Sequence, residues 1–358
     1  MSIIFTIIFI SALILVHEWG HFFAARRLGV RVEEFGFGFP PRLFSHIKNG
    51  VRYSFNLFPF GGFVKIFGEH GEGEQDRASF ISRPAWQRFI ILAAGVGMNV
   101  ALAWVLFTAA AGIGLPQIAD DTHIQSQSIP VSILGVVPVS PAAGAGLKLG
   151  DEILEMRGGQ NISLRVENEE DVSDFVQAYR GEEITLIIRR SGAVSEIKAV
   201  PRAVLPDGEG PLGIALGRIV IERVPWYWAP IAGFQSLIRS TIAIAAGLWT
   251  LVSVLATTGH APGEVSGPIG ILLFARDSGA LGIAYFLQFV GVLSVNLAVL
   301  NFLPIPALDG GRVLFLIIEK IYGRKISPHI EDAAHTAGFI ALVLLMLLIT
   351  YRDIVKIW

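Results

Sequence analysis

The protein has 358 residues, of which 53% are hydrophobic and only 16% are charged, and its formal net charge is -2. This composition indicates several long apolar stretches in contact with a lipid bilayer, and the charge gives no support to nucleic-acid binding. The sequence has no cysteine, which excludes disulfides and thiolate metal sites.

Four apolar stretches predict about four transmembrane helices, because each approaches the roughly 20 residues that cross a bilayer. They lie in residues 1–26, 88–114, 281–311 and 335–358. The first lacks the basic region and cleavage site of a signal peptide, so we predict a retained helix. Residues 225–280 hold a fifth apolar stretch, whose first half is interrupted by polar side chains. It predicts an amphipathic helix, at the interface or against the bundle, and a linker, with a true crossing as the alternative.

Residues 27–87 predict β segments and a loop associated with the membrane. The stretch VRYSFNLFPFGGFVKIF, residues 51–67, alternates partly and turns at Gly61-Gly62, which is typical of a β-hairpin. We expect its exposed edge, including Gly61 and Gly62, to accept an unwound substrate as an added strand. The alternative is an inert anchor at the membrane surface.

The orientation follows from the distribution of lysine and arginine. Residues 26–88 carry ten of these side chains, and residues 312–334, a predicted helix and loop, carry four. Basic residues near helix ends favour the cytoplasmic side, so both segments are expected there. Residues 115–224 are then extracytoplasmic, in a multi-pass protein of the inner, cytoplasmic membrane.

Residues 115–224 have the pattern of a soluble α+β domain. A strand, a short helix around Ala142 to Ala145 and a second strand are followed by a helix, a turn at Gly181 and an alternating strand. The string SPAAGAGLKLGDEIL resembles a PDZ domain, a fold that binds an extended peptide, often its C-terminus, as an added strand. A purely structural spacer is the alternative. Residues 210–216 are the candidate carboxylate-binding loop.

The first apolar stretch contains the sequence HEWGH. His17 and His21 are four residues apart, so both imidazoles project from one helix face and can hold one Zn²⁺ ion. Glu18 lies beside the first ligand, where it can activate a water molecule. Ionisable groups inside a membrane helix cost at least about 2.5 kcal/mol each, so they need a partner, and a metal ion supplies one.

A catalytic zinc site needs a third protein ligand, and Asp309 in NFLPIPALDGGRV is the best candidate. Pro304 and Pro306 break the third apolar helix, and such broken backbone is tolerated only where protein or a water-filled cavity satisfies it. His17 and Asp309 reach a similar depth from two different helices. The alternative is that Asp309 only caps the helix that follows.

These motifs together resemble the site-2 proteases, which are intramembrane zinc metalloproteases, here of the bacterial regulator-of-sigma-E protease type with a single PDZ domain. FGFGFPPRLF and FNLFPFGGFVKIFGE are similar to the family's membrane-associated β segments, and SGPIGI to the element before its third span. The resemblance implies one Zn²⁺ ion held by His17, His21 and Asp309, with Glu18 as the general base.

The resemblance also implies a substrate site. Asn301 and Asn296 are expected to hold the substrate backbone or the oxyanion, although interhelical hydrogen bonds are the alternative for both. The expected substrates are single-span membrane proteins, such as anti-sigma factors or remnant signal peptides, cut by regulated intramembrane proteolysis. Many relatives carry Ala-Gly-Pro before the asparagine of the second span, whereas this chain has Ala94-Gly95-Val96, so no role is assigned to Asn99.

Two other functions fit the sequence less well. A membrane-anchored PDZ adaptor or pseudoprotease would bind peptides without cutting them, and a metal transporter would need further polar sites along its spans. The histidines at positions 46, 123, 260, 329 and 335 have no partner at ligand spacing and receive no function. The sequence therefore predicts a polytopic α-helical membrane protein with a β-hairpin or sheet, one inserted PDZ domain and an intramembrane zinc site.

Overall fold

The computed structural model describes residues 3–69, 71–118, 129–159, 162–190, 192–204, 210–258, 267–323 and 326–357; His123 and His260 lie outside these ranges. The chain divides into two compact units, residues 1–112 with 224–358 and residues 113–223. The elements in chain order are α1 (Ile3–Arg27), β1 (Val32–Lys48), β2 (Val51–Ile66), a 3-10 helix (Phe80–Ser82), α2 (Ala85–Ile113), β3 (Leu115–Ile118), β4 (Val131–Val136), α3 (Pro141–Ala145), β5 (Glu152–Gly158), β6 (Ile162–Arg165), α4 (Glu169–Ala178), β7 (Ile184–Arg190), β8 (Ala193–Ala199), β9 (Ile214–Glu222), α5 (Ala229–Thr258), α6 (Pro268–Leu281), α7 (Ile283–Phe302), α8 (Asp309–Tyr322) and α9 (Pro328–Ile357).

Within the described ranges, five helices are long and apolar enough to cross a membrane. They are Ile8–Arg27, Ala85–Ile113, Ala229–Thr257, Ile283–Phe302 and His329–Tyr351. Four of them lie in the predicted spans, and the fifth lies in the stretch for which a true crossing was the alternative. The fifth is α5, whose interrupting polar residues do not break the helix, because a hydroxyl can bond to the preceding turn, as Thr241 Oγ1 does to Leu237 O at 2.8 Å.

Helix α5 packs against the bundle. It begins beside the end of α2, where Trp104 Nε1 donates to Pro230 O at 2.9 Å. Leu237 then packs in a buried cluster with Phe107 of α2 and Val295 of α7. Helix α7 in turn begins beside the start of α1, with the rings of Phe9 and Phe286 4.8 Å apart. Helices α1 and α2 run in opposite directions, so the end of α2 lies beside the start of α1. Helices α5 and α7 therefore start at the same end of the bundle, and α6 returns the chain to that end after α5.

The third predicted span is broken, as its prolines indicate. Helix α7 ends at Phe302 and α8 begins at Asp309, so residues 281–311 are two helices with a loop between them. Helix α9 begins at Pro328, earlier than the predicted 335. The buried ion pair of Arg88 Nη1 with Glu319 Oε2, 2.8 Å apart, joins the first turn of α2 to α8.

The β segments differ from the predicted hairpin in the position of their turn. The chain reverses at Asn49 and Gly50, whose φ angles are 51° and 76°, and not at Gly61-Gly62. Two successive positive φ angles match the type I′ turn that Asn-Gly favours, which is why this dipeptide takes the turn. The prediction of a turn at Gly61-Gly62 is therefore wrong, and β2 runs through both glycines.

Both strands bend so that they pair twice. Phe35 in β1 lies opposite both Tyr53 and Val64 of β2, so the first half of β1 lies between the two halves of β2. The last part of β2 thereby lies at an edge of the sheet, on the side of α1. This placement brings the predicted substrate edge beside the helix that carries HEWGH.

The second compact unit spans residues 113–223. Its strands have the order β3-β9-β4-β5-β7-β8, with β6 paired to β5, and α3 and α4 complete it. The predicted helices are present: Ser140 Oγ caps α3, and Asn168 forms a capping box with Asp171 at the start of α4. Its apolar core includes Ile133, Met156, Phe175 and Leu186.

Candidate metal centre

Three side chains converge from two segments nearly 300 positions apart. His17 Nε2 and His21 Nε2 lie 2.9 and 3.3 Å from Asp309 Oδ2, and the two Nε2 atoms lie 3.1 Å from each other. Both histidines are buried, at 5% and 6% exposure. Helical spacing aims the histidines to one side of α1, and the start of α8 delivers the carboxylate.

This donor set fits a tetrahedral metal ion. Nitrogen and oxygen ligands at about 2.0–2.1 Å from zinc lie about 3.3 Å apart at tetrahedral angles. The three observed separations, from 2.9 to 3.3 Å, are close to that value. Two histidines and one carboxylate are a ligand set of catalytic zinc sites, which keep the fourth position for water or substrate.

Asp309 does not act as a helix cap. Helix α8 has Leu308 as its N-cap residue, without a side-chain capping bond, so the capping alternative is wrong. Asp309 Oδ2 instead lies 2.9 Å from His17 Nε2 and 3.3 Å from His21 Nε2, so the carboxylate is available to bind a cation together with the two imidazoles.

Each histidine has a partner on the side of the ring that faces away from the carboxylate. His21 Nδ1 lies 2.8 Å from the backbone oxygen of Ile91 in α2. His17 Nδ1 lies 3.2 Å from the side-chain Nδ2 of Asn99, which is fully buried and whose backbone oxygen accepts from Ser294 Oγ at 2.8 Å. Metal-binding histidines usually donate their second N–H to such a partner, which fixes the tautomer and the ring orientation.

The Asn99 amide also supports binding of a cation at this position. Its Oδ1 is buried and has no hydrogen-bond partner. When Nε2 of His17 binds a metal, Nδ1 carries the proton and needs an acceptor. A 180° rotation of the amide places Oδ1 at that acceptor position. The orphaned oxygen is thus explained by a metal-bound His17.

Gly95 makes room for both imidazoles. A Cβ atom at this position would lie 2.3 Å from His21 Nε2 and 2.8 Å from His17 Cε1. On the facing helix α1, a Cβ at Gly20, the residue before His21, would lie 2.3 Å from the backbone oxygen of Ala94. The close approach of α1 and α2, which places the ligands beside their partners, therefore depends on two glycines.

Glu18 lines a cavity beside the two histidines and is held in place by the sheet. The backbone N–H of Val64 in β2 donates to Glu18 Oε2 at 3.0 Å. Two turns earlier in α1, Ser11 Oγ donates to Pro59 O at 2.6 Å and accepts from the N–H of Gly61 at 3.3 Å. The edge of β2 that sequence analysis offers to a substrate strand therefore lies against α1 at these positions.

The cavity beside the ligands has a volume of about 470 Å³ and brings together polar groups of four segments. Among the residues that line it are Glu18, His21, Glu69, Asp309, Arg312 and His335. Arg312 and Glu69 form an ion pair at its wall, and burial lowers the pKa of the Arg312 guanidinium. A charged, partly open cavity next to a buried ligand set can admit water and an extended peptide.

None of the remaining predicted site residues is among those that line the cavity. Gly61 and Gly62 lie against α1, where a Cβ on Gly62 would lie 3.1 Å from Leu15 Cδ1. Asn296 and Asn301 are half-buried on α7, and neither is among the residues that line the cavity. The cavity is thus lined by α1, β2, α8 and α9, with Leu92 of α2 and part of the segment between β2 and α2.

Sequence analysis missed three contributors: Gly95, Asn99 and His335. A polar residue in the apolar second span is a signal that could have identified Asn99, because such residues need partners at membrane depth. Gly95 precedes it by one helical turn. His335, which received no function, could not be identified from spacing, because its partner is a backbone N–H of another segment.

Comparison with known proteins agrees with this geometry. The family model described as Peptidase family M50 matches residues 5–345. A protein of Clostridium perfringens, provisionally named a zinc metalloprotease, is 32% identical over 355 residues and covers 99% of both chains. A relative from Fusobacterium nucleatum with the same provisional name is 32% identical over 361 residues, with both chains fully covered. The zinc metalloprotease RasP of Geobacillus kaustophilus is 28% identical and covers 99% of this chain and 98% of its own. The chain thus belongs to peptidase family M50, the site-2 proteases.

Proposed function

We propose that the protein is a zinc-dependent endoprotease that cuts peptide bonds within the transmembrane segments of single-span membrane proteins. The observation that carries this proposal is the convergence of His17, His21 and Asp309 within 4.8 Å of one another beside Glu18. His17 lies 14 residues after the start of α1, about 21 Å along a helix, which is well inside a hydrocarbon core of about 30 Å.

Zinc, when bound by these three residues, polarises the scissile carbonyl and lowers the pKa of water, as in other zinc hydrolases. Glu18 accepts the proton of the attacking water and returns it to the leaving amine. Val64 restrains the Glu18 carboxylate through its backbone N–H. The outer partners of the histidines, Ile91 O and Asn99, keep both imidazoles oriented.

The substrate is proposed to enter as an unwound strand along the last part of β2, near Gly61 and Gly62. Helical substrates hide their amide bonds, so they must become extended before hydrolysis, and strand addition stabilises that form. Because Ser11 and Glu18 bond to this edge, entry of a substrate has to displace α1 side chains locally. Asn296 and Asn301 are proposed to hold the substrate backbone or the oxyanion.

Replacement of Glu18 by Gln tests the assignment of the general base. Purified Glu18→Gln protein is expected to contain one zinc ion per chain by elemental analysis and to lose cleavage of a single-span model substrate. Glu33→Gln, the same chemical change at a side chain paired with Lys65, should keep both properties. Cleavage by Glu18→Gln at the wild-type rate would contradict the assignment, whereas absence of zinc from active wild-type protein would contradict the metal site.

Two measurements separate the protease from the alternative functions, fragment release by the zinc-loaded protein and zinc transport. An adaptor or pseudoprotease would release no fragments even with zinc bound, and a transporter would move zinc into proteoliposomes. Trapping membrane proteins on the Glu18→Gln variant then identifies physiological substrates, which we propose to include anti-sigma factors or remnant signal peptides left by an earlier protease.

We propose that residues 113–223 form a PDZ domain that binds a peptide C-terminus. The supporting observations are at the candidate loop: Leu212 is buried, Gly213 has φ +71°, and β9 follows directly. Residues 214–218 of β9 pair with β4 on one side. On the other side β3 pairs with residues 219–222, so the proposed peptide would pair beside residues 214–218. A labelled peptide with a free carboxylate should bind the full-length protein more tightly than its C-terminal amide; equal binding would contradict the loop assignment.

The proposed location is the inner, cytoplasmic membrane, with residues 113–223 outside and the β1–β2 turn inside. Because the sequence has no cysteine, single cysteines report sidedness directly. Val194→Cys should react with a membrane-impermeant reagent in intact spheroplasts, and Lys48→Cys only after lysis. The opposite pattern would reverse the orientation.

A further inference from the structure

In the loop that leads to Asp309, almost all backbone N–H groups donate to nearby backbone oxygens. Between α7 and α8, the N–H groups of Leu303, Ile305 and Leu308 donate to nearby backbone oxygens at 3.1, 2.7 and 3.2 Å. Two further positions in the loop are prolines, which have no N–H. In an apolar environment an unpaired backbone N–H is costly, so the remaining group, that of Ala307, needs an acceptor.

That acceptor is a side chain on another helix. The N–H of Ala307 donates to Nδ1 of His335 in α9 at 2.9 Å. Ala307 has φ +84°, a conformation that a residue other than glycine seldom adopts without support from its surroundings. His335 therefore stabilises the loop at its least favourable residue.

Helix α9 approaches the loop closely at this point. A Cβ on Gly338, three residues after His335, would lie 2.3 Å from the backbone oxygen of Pro306. The His335 ring also lies 5.7 Å from that of Phe315 in α8. Tight packing and the Ala307 hydrogen bond together hold the loop between α8 and α9.

We propose that His335 is a positioning residue that keeps Asp309 within reach of the two histidine ligands. Only Leu308 separates Ala307 from Asp309, so a change in the backbone at Ala307 moves the carboxylate directly. The inference rests on the proposed ligand role of Asp309. In this role the His335 ring accepts at Nδ1, and the residue acts through the loop rather than on the substrate.

The test compares zinc affinity and kinetics of purified full-length variants. His335→Leu removes the acceptor, and His335→Asn restores one, because Asn Oδ1 occupies nearly the position of Nδ1. Thr350→Val, on the same helix and outside the lining of the cavity, serves as the control. Zinc affinity is measured by competition with a fluorescent chelator, and cleavage of a single-span substrate supplies kcat and KM separately.

We expect His335→Leu to weaken zinc binding about 10–100-fold, the range seen when outer partners of metal ligands are removed. Its kcat at saturating zinc should fall while KM stays within about threefold. His335→Asn should recover most of the affinity, and Thr350→Val should match the wild type. Asp309→Ala separates the two proposals: if it retains wild-type zinc affinity, the ligand assignment itself fails.

The inference is overturned if Asp309→Ala loses zinc while His335→Leu binds it as tightly as the wild type. It is also overturned if His335→Asn is as impaired as His335→Leu, because the acceptor would then not be the relevant property. Unfolding of His335→Leu is checked by thermal denaturation of the metal-free protein, and His335→Asn keeps the inference testable if the leucine variant does not fold.

Discussion

A methyl group at Gly95 should damage the metal centre more than any other change of similar size in α2. An alanine Cβ would lie 2.3 Å from His21 Nε2, 2.7 Å from His21 Cε1 and 2.8 Å from His17 Cε1. Non-bonded heavy atoms prefer about 3.5 Å or more. The nearest contact is thus too short by about 1.2 Å, the difference between 3.5 and 2.3 Å. Both imidazoles, or the helix itself, must move by a distance of that order.

A displacement of this size is large for a metal site. Zinc–ligand distances tolerate only about 0.2 Å, and a 1 Å misplacement of reacting groups typically costs about 100-fold in rate. We expect Gly95→Ala to lower zinc affinity and kcat/KM by about 100-fold or more each. Competition with a zinc chelator measures the affinity, and cleavage of a single-span model substrate measures the rate.

Gly97 provides a matched control two residues away on the same helix. A Cβ at Gly97 would meet no atom within 4 Å. Alanine is favoured over glycine inside a helix by up to about 1 kcal/mol, so Gly97→Ala should be neutral or slightly stabilising and fully active. If Gly95→Ala binds zinc as tightly as Gly97→Ala, the placement of α2 against the ligands is wrong.

Two further predictions concern buried polar groups. Asn99→Leu removes the acceptor proposed for the His17 Nδ1–H and should weaken zinc binding about 10–100-fold in the chelator competition, whereas unchanged affinity would exclude an orienting role. Asp151 is fully buried and accepts from Nε and Nη2 of Arg190 at 2.6 and 2.7 Å, so Asp151→Asn should destabilise residues 113–223 by about 1.5–3 kcal/mol in chemical denaturation. The exposed Asp174→Asn, on α4, should leave that transition unchanged, and equal effects of the two variants would argue against the buried pair.

The convergence of the three proposed zinc ligands could be predicted because each has a local signal or a signal in its depth along an apolar helix. His17 and His21 are close in sequence, so helical spacing alone brings them together. Asp309 is distant in sequence, but counting residues along the first and third apolar stretches places it at a membrane depth similar to that of His17. The membrane supplies this information, because it fixes where each helix begins and ends relative to the others.

The turn of the β segments could not be chosen from the sequence by the same means. Asn49-Gly50 and Gly61-Gly62 are both credible turns, and alternation of apolar residues continues through the second. The structure resolves the choice through α1: Gly61 and Gly62 fit beside its side chains, whereas Asn49 and Gly50 are exposed. Asn49-Gly50 carries the local signal of a type I′ turn, whereas the fit of Gly61 and Gly62 beside α1 depends on another element and has no signature in the local sequence.

The contributions of Asn99 and His335 share one physical origin with the metal ligands. At membrane depth, water does not compensate a polar group, so each must be satisfied by another part of the protein. Asn99 meets a ring nitrogen of His17, 82 positions away, and His335 meets the N–H of Ala307, 28 positions away. Polar residues in the spans of such a protein therefore converge on few places, and here those places surround the carboxylate of Asp309. The same condition makes the centre sensitive to single changes, because an apolar replacement leaves its former partner unsatisfied.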